Sequence, residues 1–153
     1  VYQFMQTGNY HPKQAVPTIS NAMDVGNPSN FIRVLQIFHQ QSIDLKSMLS
    51  AYSTNDQRTR ELILQVYKEY NYLLDPHGAV GYDALQRYQQ AHPAEKGIIL
   101  ETAHPIKFLD VVEPVIGETI PVPAAIADTL KKEKAATLIT NEYAALKNYL
   151  LLD

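Results

Sequence analysis

Three stretches of the sequence follow the same order: a short apolar run, a polar turn that contains an X-Pro step, and a helical pattern. The turns lie around Asn27, Asp75 and Thr102. A polar side chain before proline is a typical start of a helix, because it can accept a hydrogen bond from a backbone N–H of the first turn. In a parallel sheet such turns lie side by side at the carboxyl ends of the strands, where ligands bind. The sequence therefore predicts one site at one edge of a small parallel sheet, with helices that begin at or near Pro28, Pro76 and Pro105.

The length of 153 residues is sufficient for one hydrophobic core. Residues 1–120 contain the three repeated units, and residues 121–123 are an extended Pro-Val-Pro linker. We expect an α/β domain over residues 1–120 and a helical tail over residues 121–153 that packs on it. A short strand is predicted at residues 2–5. Apolar residues at helical spacing predict helices at 31–41, 44–52, 55–70, 79–90, 106–116, 124–133 and 141–151. Asn55 is predicted to open the helix at 55–70 and Asn71 to end it, and Gly117 lies where the helix at 106–116 needs a residue that tolerates positive φ.

The overall charge and composition exclude several classes of function. The formal net charge is -3 without any basic run, so neither nucleic acid nor an anionic membrane is an expected partner. The chain has no cysteine, which excludes disulfides, thiolate catalysis and cysteine-ligated zinc and fits a reducing cytoplasm. No apolar run approaches the roughly 20 residues that span a bilayer. Because the chain begins at Val1 without a start-like or signal-like pattern, we expect it to be part of a longer protein.

Three motifs carry a resemblance to a known family. They occupy residues 20–33, 75–82 and 102–108, in matching order and approximate spacing. Together they resemble the C-terminal part of threonine synthase, and the likeness runs over nearly the whole chain. The resemblance implies a fold-type II enzyme that uses pyridoxal 5'-phosphate to convert O-phospho-L-homoserine and water to L-threonine and phosphate. It also implies an α/β fold, in which a small parallel sheet flanked by helices forms part of the large cofactor-binding domain.

The same resemblance places part of the chemistry outside this chain. The family's Schiff-base lysine and its Gly- and Asn-rich phosphate loop belong to an earlier part of the protein, so no catalytic residue is expected here. Lys107 is not a candidate for that lysine, because it lies in a helix after the third turn. We expect the isolated chain to be inactive and to have the N-terminal remainder of the enzyme as its partner. Apolar surface left bare by the missing part predicts self-association.

Thr102 is the sharpest candidate for contact with the cofactor. Its position matches the threonine of the family's Thr-Ala-His-Pro motif, which resembles the Ser or Thr that other fold-type II enzymes place beside the pyridine nitrogen. A neutral hydroxyl there does not hold the ring protonated as a carboxylate would, so it makes the ring a weaker electron sink. The structural alternative, a helix cap or a strand end, has equal weight.

The remaining candidates for the substrate pocket have both a structural and a functional interpretation. Asp75 is a typical helix N-cap and also borders the pocket that the resemblance implies, while His77 is either a surface histidine or a pocket residue. Hydroxyl, amide and free N–H groups in a helix's first turn can receive an anion, or can satisfy one another within the loop. A metal site is not expected, because these side chains lie on separate turns without a helical clamp. The full set of candidates is Asp24, Ser29, Asn30, Asp75, His77 and His104.

A second class of function stays open at this point. The chain alone is compatible with a non-catalytic α/β module whose turns bind an anion or a partner protein. Three motifs that match one family at once favour the enzyme. An open reading frame that continues upstream into a lysine-bearing region and a Gly/Asn-rich loop would distinguish the two hypotheses.

Overall fold

The computed structural model describes residues 1–21 and 24–151, and these residues form two units, Val1–Ile120 and Pro121–Asp153. Ala22 and Met23 of the first motif, and Leu152 of the tail, lie outside the described residues. A short 3₁₀ helix occupies Pro105–Phe108. The α-helices are α1 (Tyr2–Thr7), α2 (Phe31–Gln40), α3 (Leu45–Met48), α4 (Asp56–Tyr70), α5 (Pro76–Ala91), α6 (Leu109–Ile116), α7 (Ala124–Leu130) and α8 (Tyr143–Leu150).

Helix α4 is the centre of the first unit, and it packs against both α5 and α6. The side chain of Asn55 caps it by accepting a hydrogen bond from the Arg58 N–H at 2.9 Å. Asn71 ends it in the left-handed conformation, with φ of 51°, which asparagine tolerates better than most residues. Between these ends, Leu62 and Ile63 are completely buried. Burial of each such side chain stabilises the fold by about 1.5–3 kcal/mol.

The core continues from α4 onto the two neighbouring helices. Its other buried members are supplied by the segment before α5, by the start of α5, by the 3₁₀ helix, by α6 and by the segment after it. Gly117 ends α6 with φ of 75°, as the sequence predicts for a glycine at that place. The core cluster comprises Leu62, Ile63, Val66, Leu74, Ala79, Phe108, Val112 and Ile120.

The prediction of a small parallel sheet is wrong. No residue that the structure describes lies in a β-strand, and the fold is helical. Residues 15–19, 72–74 and 97–101 lie outside the helices, as predicted. None of these segments forms the backbone hydrogen-bond ladder of a β-sheet with another segment. An extended apolar run becomes a strand only when a neighbour satisfies its N–H and C=O groups, and periodicity within the run does not supply that neighbour. The α/β fold class is therefore corrected to a helical one.

Several predicted boundaries also need correction. Residues 2–5 belong to α1, which ends at Gly8 with φ of 77°, and not to a strand. Helix α2 begins at Phe31, as the predicted range 31–41 has it, and three residues after Pro28, because residues 28–30 form a turn in which the Phe31 N–H donates to the Pro28 carbonyl at 3.2 Å. The helix predicted over 44–52 is the single turn α3. The helices at Pro76 and Pro105 begin where the sequence predicts, the latter as a 3₁₀ turn.

The second unit contains α7 and α8, which are shorter than the predicted helices. Neither helix buries a residue in the part of the chain that the structure describes. The packing of this tail on the preceding domain stays a prediction. No described helix is both long enough and apolar enough to cross a membrane.

Candidate functional site

The N-terminus of α5 is built around a completely buried carboxylate, that of Asp75. Its Oδ1 accepts a hydrogen bond from the Gly78 N–H at 2.9 Å. Its Oδ2 accepts one from the His77 N–H at 3.2 Å and lies 2.7 Å from Nδ1 of the His77 ring. Pro76, at the first helical position, needs no acceptor. Asp75 thus caps the helix as the sequence predicts, and it also fixes the orientation of the His77 side chain.

Glu101 brings a second carboxyl group to the same place. It is the last residue of the extended segment 97–101. Its carboxyl lies over Gly78, whose N–H donates to Asp75 Oδ1, so the two carboxyl groups are neighbours at the start of α5. Gly78 makes room for it, because a Cβ at position 78 would overlap the Glu101 carboxyl. Two carboxyl groups form a hydrogen bond only when one of them carries a proton.

The two carboxyl groups differ in their affinity for that proton. Burial raises the pKa of Glu101 to about 7, and the hydrogen bond and the charge of Asp75 act in the same direction. Burial alone would also raise the pKa of Asp75, but the hydrogen bonds from Gly78, His77 and Glu101 outweigh it and lower that pKa below its ordinary value. The shared proton therefore resides on Glu101, and Asp75 is the ionised partner.

The third turn follows Glu101 directly. Thr102 is exposed, and His104 caps the 3₁₀ helix by accepting the Ile106 N–H on its Nδ1 at 3.2 Å. The ring of Phe108 packs edge-on against that of His77, with centroids 5.2 Å apart. Hence the second and third turns are joined at two points, by a carboxyl pair on one side and an aromatic pair on the other.

An open cavity of about 470 Å³ lies beside the carboxyl pair. Burial raises the pKa of Tyr82, and so does the neighbouring Tyr70, so the Tyr82 phenol stays neutral at physiological pH. The walls are otherwise mostly apolar, and Glu101 supplies the acidic group. The lining residues are Val66, Tyr70, Tyr72, Leu74, Tyr82, Ile99 and Glu101.

The first turn, around Asn27, does not lie beside the second and third turns. Asp24 accepts hydrogen bonds from the N–H and hydroxyl of Thr18, at 3.3 and 3.2 Å, and from the Asn21 amide at 3.2 Å. The neighbouring Ile19 N–H donates to Asp56 Oδ1 at 3.3 Å, at the start of α4. Asp75 follows the other end of that helix, which by its rise is about 21 Å away along the axis.

Ser29 and Asn30 belong to this first turn as well. Both are exposed, and Asn30 directly precedes α2 without a side-chain cap. The structure therefore joins the second and third turns and anchors the first at the opposite end of α4. Within residues 1–21 and 24–151, no group of three or more His, Cys, Asp or Glu side chains has the geometry of a metal site.

Sequence reasoning missed Glu101 and Gly78. Glu101 is an acidic residue at the end of an apolar run, immediately before the Thr-Ala-His-Pro motif, and this position could have drawn attention to it. Its partner could not be inferred, because Asp75 is 26 positions earlier in the chain.

The comparisons with known proteins all lead to one family. Residues 78–150 match the family model described as "Threonine synthase, C-terminal". The threonine synthase of Escherichia coli is 35% identical over 151 residues, which cover 99% of this chain and 34% of that protein. The threonine synthase of Haemophilus influenzae is 37% identical over 155 residues, covering 99% and 35%. The chain belongs to the threonine synthase family.

Solved structures of threonine synthases agree with this assignment. The crystal structure of the Escherichia coli enzyme has a TM-score of 0.85 at 35% identity, with 97% of this chain and 34% of that chain covered. The structure of pyridoxal-phosphate-bound threonine synthase from Brucella melitensis has a TM-score of 0.70 at 27% identity, with 97% and 37% covered. The chain thus spans about a third of the length of the threonine synthases it matches, and it corresponds to their C-terminal part.

Proposed function

We propose that the protein containing this chain converts O-phospho-L-homoserine and water to L-threonine and phosphate with pyridoxal 5'-phosphate. The observation that carries the proposal is the similarity to threonine synthases over 99% of the chain, together with the joined second and third turns. The absence of cysteine also supports the expected cytoplasmic location.

Within that protein, we assign to Thr102 the contact with the pyridine nitrogen. The cofactor, when bound, supplies an electron sink for carbanion chemistry at the substrate. Thr102 fits the ring edge because its side chain is exposed and neutral, and because the residue before it is tied to the buried N-terminus of α5. A hydroxyl there hydrogen-bonds to the nitrogen without holding a full negative charge against it.

The roles of the other candidates follow from their contacts. His77 and His104 lie in the two joined turns, with His77 fixed by Asp75 and His104 by the Ile106 N–H, so we place both on the wall of the substrate pocket. Asp75 supports that wall from behind, since it is completely buried. For Asp24, Ser29 and Asn30 the proposed function rests only on their match to the family motif. None of them has a contact with the two joined turns in the part of the chain that the structure describes: Ser29 and Asn30 are exposed, and Asp24 is hydrogen-bonded to Thr18.

The remainder of the enzyme is the partner that we propose for this chain. Ile98 and Leu100 are 89% and 80% exposed, next to the carboxyl pair, and such apolar exposure favours cover by another part of the protein. The Schiff-base lysine is proposed to lie there. Borohydride reduction of the isolated chain with pyridoxal phosphate should therefore label no lysine stoichiometrically, and stoichiometric labelling of Lys107 would contradict this.

The assignment of Thr102 is tested in the full-length enzyme. Thr102→Asp should change the absorption spectrum of the bound cofactor and reduce kcat, because a carboxylate favours a protonated ring nitrogen. Thr102→Ser retains the hydroxyl and is the matched control, with a spectrum like that of the wild type. An unchanged spectrum and rate in Thr102→Asp would remove Thr102 from the ring.

A further inference from the structure

The junction between the second and third turns contains an unusual arrangement of charge. Asp75 is completely buried, and Glu101 places a second carboxyl against it in the space left by Gly78. The His77 ring, whose side chain is 28% exposed, lies with Nδ1 2.7 Å from Asp75 Oδ2. The cavity that Glu101 borders is also lined by Tyr70, Tyr72 and Tyr82.

The presence of one proton on the two carboxyl groups decides whether Glu101 and Asp75 attract or repel each other. With one proton, the Glu101 carboxyl donates to Asp75 and the two groups attract each other. When that proton leaves to solvent, two negative charges lie in contact next to a mostly apolar cavity, and they repel. Since Asp75 is held by Gly78 and His77, Glu101 is the group that moves.

Movement of Glu101 is transmitted directly to the next residue. Thr102 is exposed, and the capping bond that fixes the third turn begins only at His104. The peptide bond from Glu101 and the cap at His104 are thus the two supports of the segment that carries the Thr102 hydroxyl.

We propose that Glu101 is a positioning residue: its carboxyl shares one proton with Asp75, and this pair fastens Thr102 to the N-terminus of α5 at the place where the cofactor ring lies. The inference rests on the proposed function for the location of the ring. The meeting of the two carboxyl groups rests on the position of the Glu101 carboxyl over Gly78, whose N–H donates to Asp75.

The first experiment detects the shared proton without the use of activity. Infrared spectra of the full-length apoenzyme, with labelled glutamate and aspartate side chains, should show a protonated carboxylic acid band at pH 6 that disappears as the pH rises through about 7. Glu101→Gln should abolish this band. Glu61→Gln, which replaces an exposed carboxyl on α4, is the matched control and should leave it intact.

The second experiment follows the position of Thr102 in the holoenzyme. In the wild type, the absorption spectrum of the bound cofactor should change with an apparent pKa near 7. In Glu101→Gln this transition should be absent, because an amide donates to Asp75 at every pH. Glu101→Ala removes the donor, and its spectrum at pH 6 should resemble that of the wild type above pH 8.

The outcomes separate the inference from the function on which it rests. Absence of the acid band at pH 6, or its persistence in Glu101→Gln, overturns the shared proton. A present band combined with identical cofactor spectra in the wild type, Glu101→Gln and Glu101→Ala overturns the positioning role. If Glu101→Ala does not fold, the wild type and Glu101→Gln still decide both points. A spectrum unaffected by Thr102→Asp instead overturns the assignment of Thr102 under the proposed function, whatever the band shows.

Discussion

The two ends of the contact between α4 and α5 each contain a buried aspartate. The two carboxylates are stabilised by different kinds of partner. Asp83, in the middle of α5, accepts hydrogen bonds from the Thr54 hydroxyl at 2.8 Å and from Arg58 Nε at 3.1 Å, and Arg87 lies 3.7 Å away. Asp75, at the start of α5, has backbone N–H groups, an imidazole and a second carboxyl.

The difference indicates which end is structural and which end is able to change state. Permanently charged guanidinium groups keep the Asp83 site in one arrangement over the physiological pH range. At the Asp75 site the pKa of Glu101 is raised to about 7, so we expect changes of pH near neutrality to alter its arrangement. A buried carboxylate is thus a fixed link between helices in one case and part of a titrating pair in the other.

The largest effect on stability is expected from Asp83→Ala. Removal of this carboxylate leaves the Thr54 hydroxyl without its acceptor and takes one acceptor from each of two arginines, which retain Gln86, Glu61 and the Ser53 carbonyl, and the loss should be about 1–3 kcal/mol. The lower part of this range applies if the arginines, whose side chains are about 40% exposed, regain water. Thermal melting of the full-length protein measures the loss, with Glu61→Ala as the exposed control. An unchanged melting temperature would show that Asp83 is not a link between the helices.

A smaller effect on stability is expected from Gly78→Ala, because this substitution acts at the Asp75 end of the contact between α4 and α5 and leaves Asp83 unchanged. The new Cβ would overlap the Glu101 carboxyl, which is the far end of a flexible side chain and moves away. The hydrogen bonds that the Asp75 carboxylate accepts from the backbone N–H groups of His77 and Gly78 persist, so the loss should be about 1 kcal/mol or less. Gly81→Ala, where the nearest atom is a methyl of Ile99 at 3.3 Å, is the matched control.

The mechanism of Gly78→Ala is checked by a double-mutant cycle. If the alanine acts by displacing Glu101, then its effect should vanish in a Glu101→Ala background. Additive losses would mean that Gly78 is required for another reason, such as the backbone at the start of α5.

The last effect is a dependence of stability on pH, and solvent screening keeps it small because Glu101 is an exposed residue. In the unfolded chain Glu101 has its ordinary pKa of 4.5, and in the folded protein its pKa is about 7, so between these values the folded state holds the extra proton. The stabilisation is complete below pH 4.5 and is lost as the pH rises through about 7. Asp75, whose pKa is lowered, contributes in the opposite sense and loses its contribution as the pH falls below about 3.8.

Glu101→Gln isolates this dependence. Relative to the wild type, its melting temperature should rise between pH 5 and pH 8, since the amide cannot be deprotonated. Asp83→Asn should show no such trend between these values. Parallel melting curves for the wild type and Glu101→Gln over this range would contradict the assignment of a titrating pair to this end of the contact.

The sequence by itself determined the features that depend on neighbouring residues. Asn55, Asn71, Asp75 and Gly117 mark helix ends as predicted, because a cap or a left-handed residue satisfies backbone groups within four positions of itself. The family resemblance was also available from three local motifs, and the comparisons confirm it.

Tertiary structure alone decided what depends on distant partners. The extended runs have the sequence pattern of strands, yet the described residues form none. A strand needs a second segment that pairs with its backbone N–H and C=O groups, and the periodicity of one segment does not identify that partner. The first turn was expected beside the other two, but the bond from Ile19 to Asp56 holds it at the far end of α4. Glu101 meets Asp75 only because helix α5 and the chain after it return to the same place. Its shifted pKa therefore has its origin in packing, which brings two carboxyl groups together in a site partly closed to water.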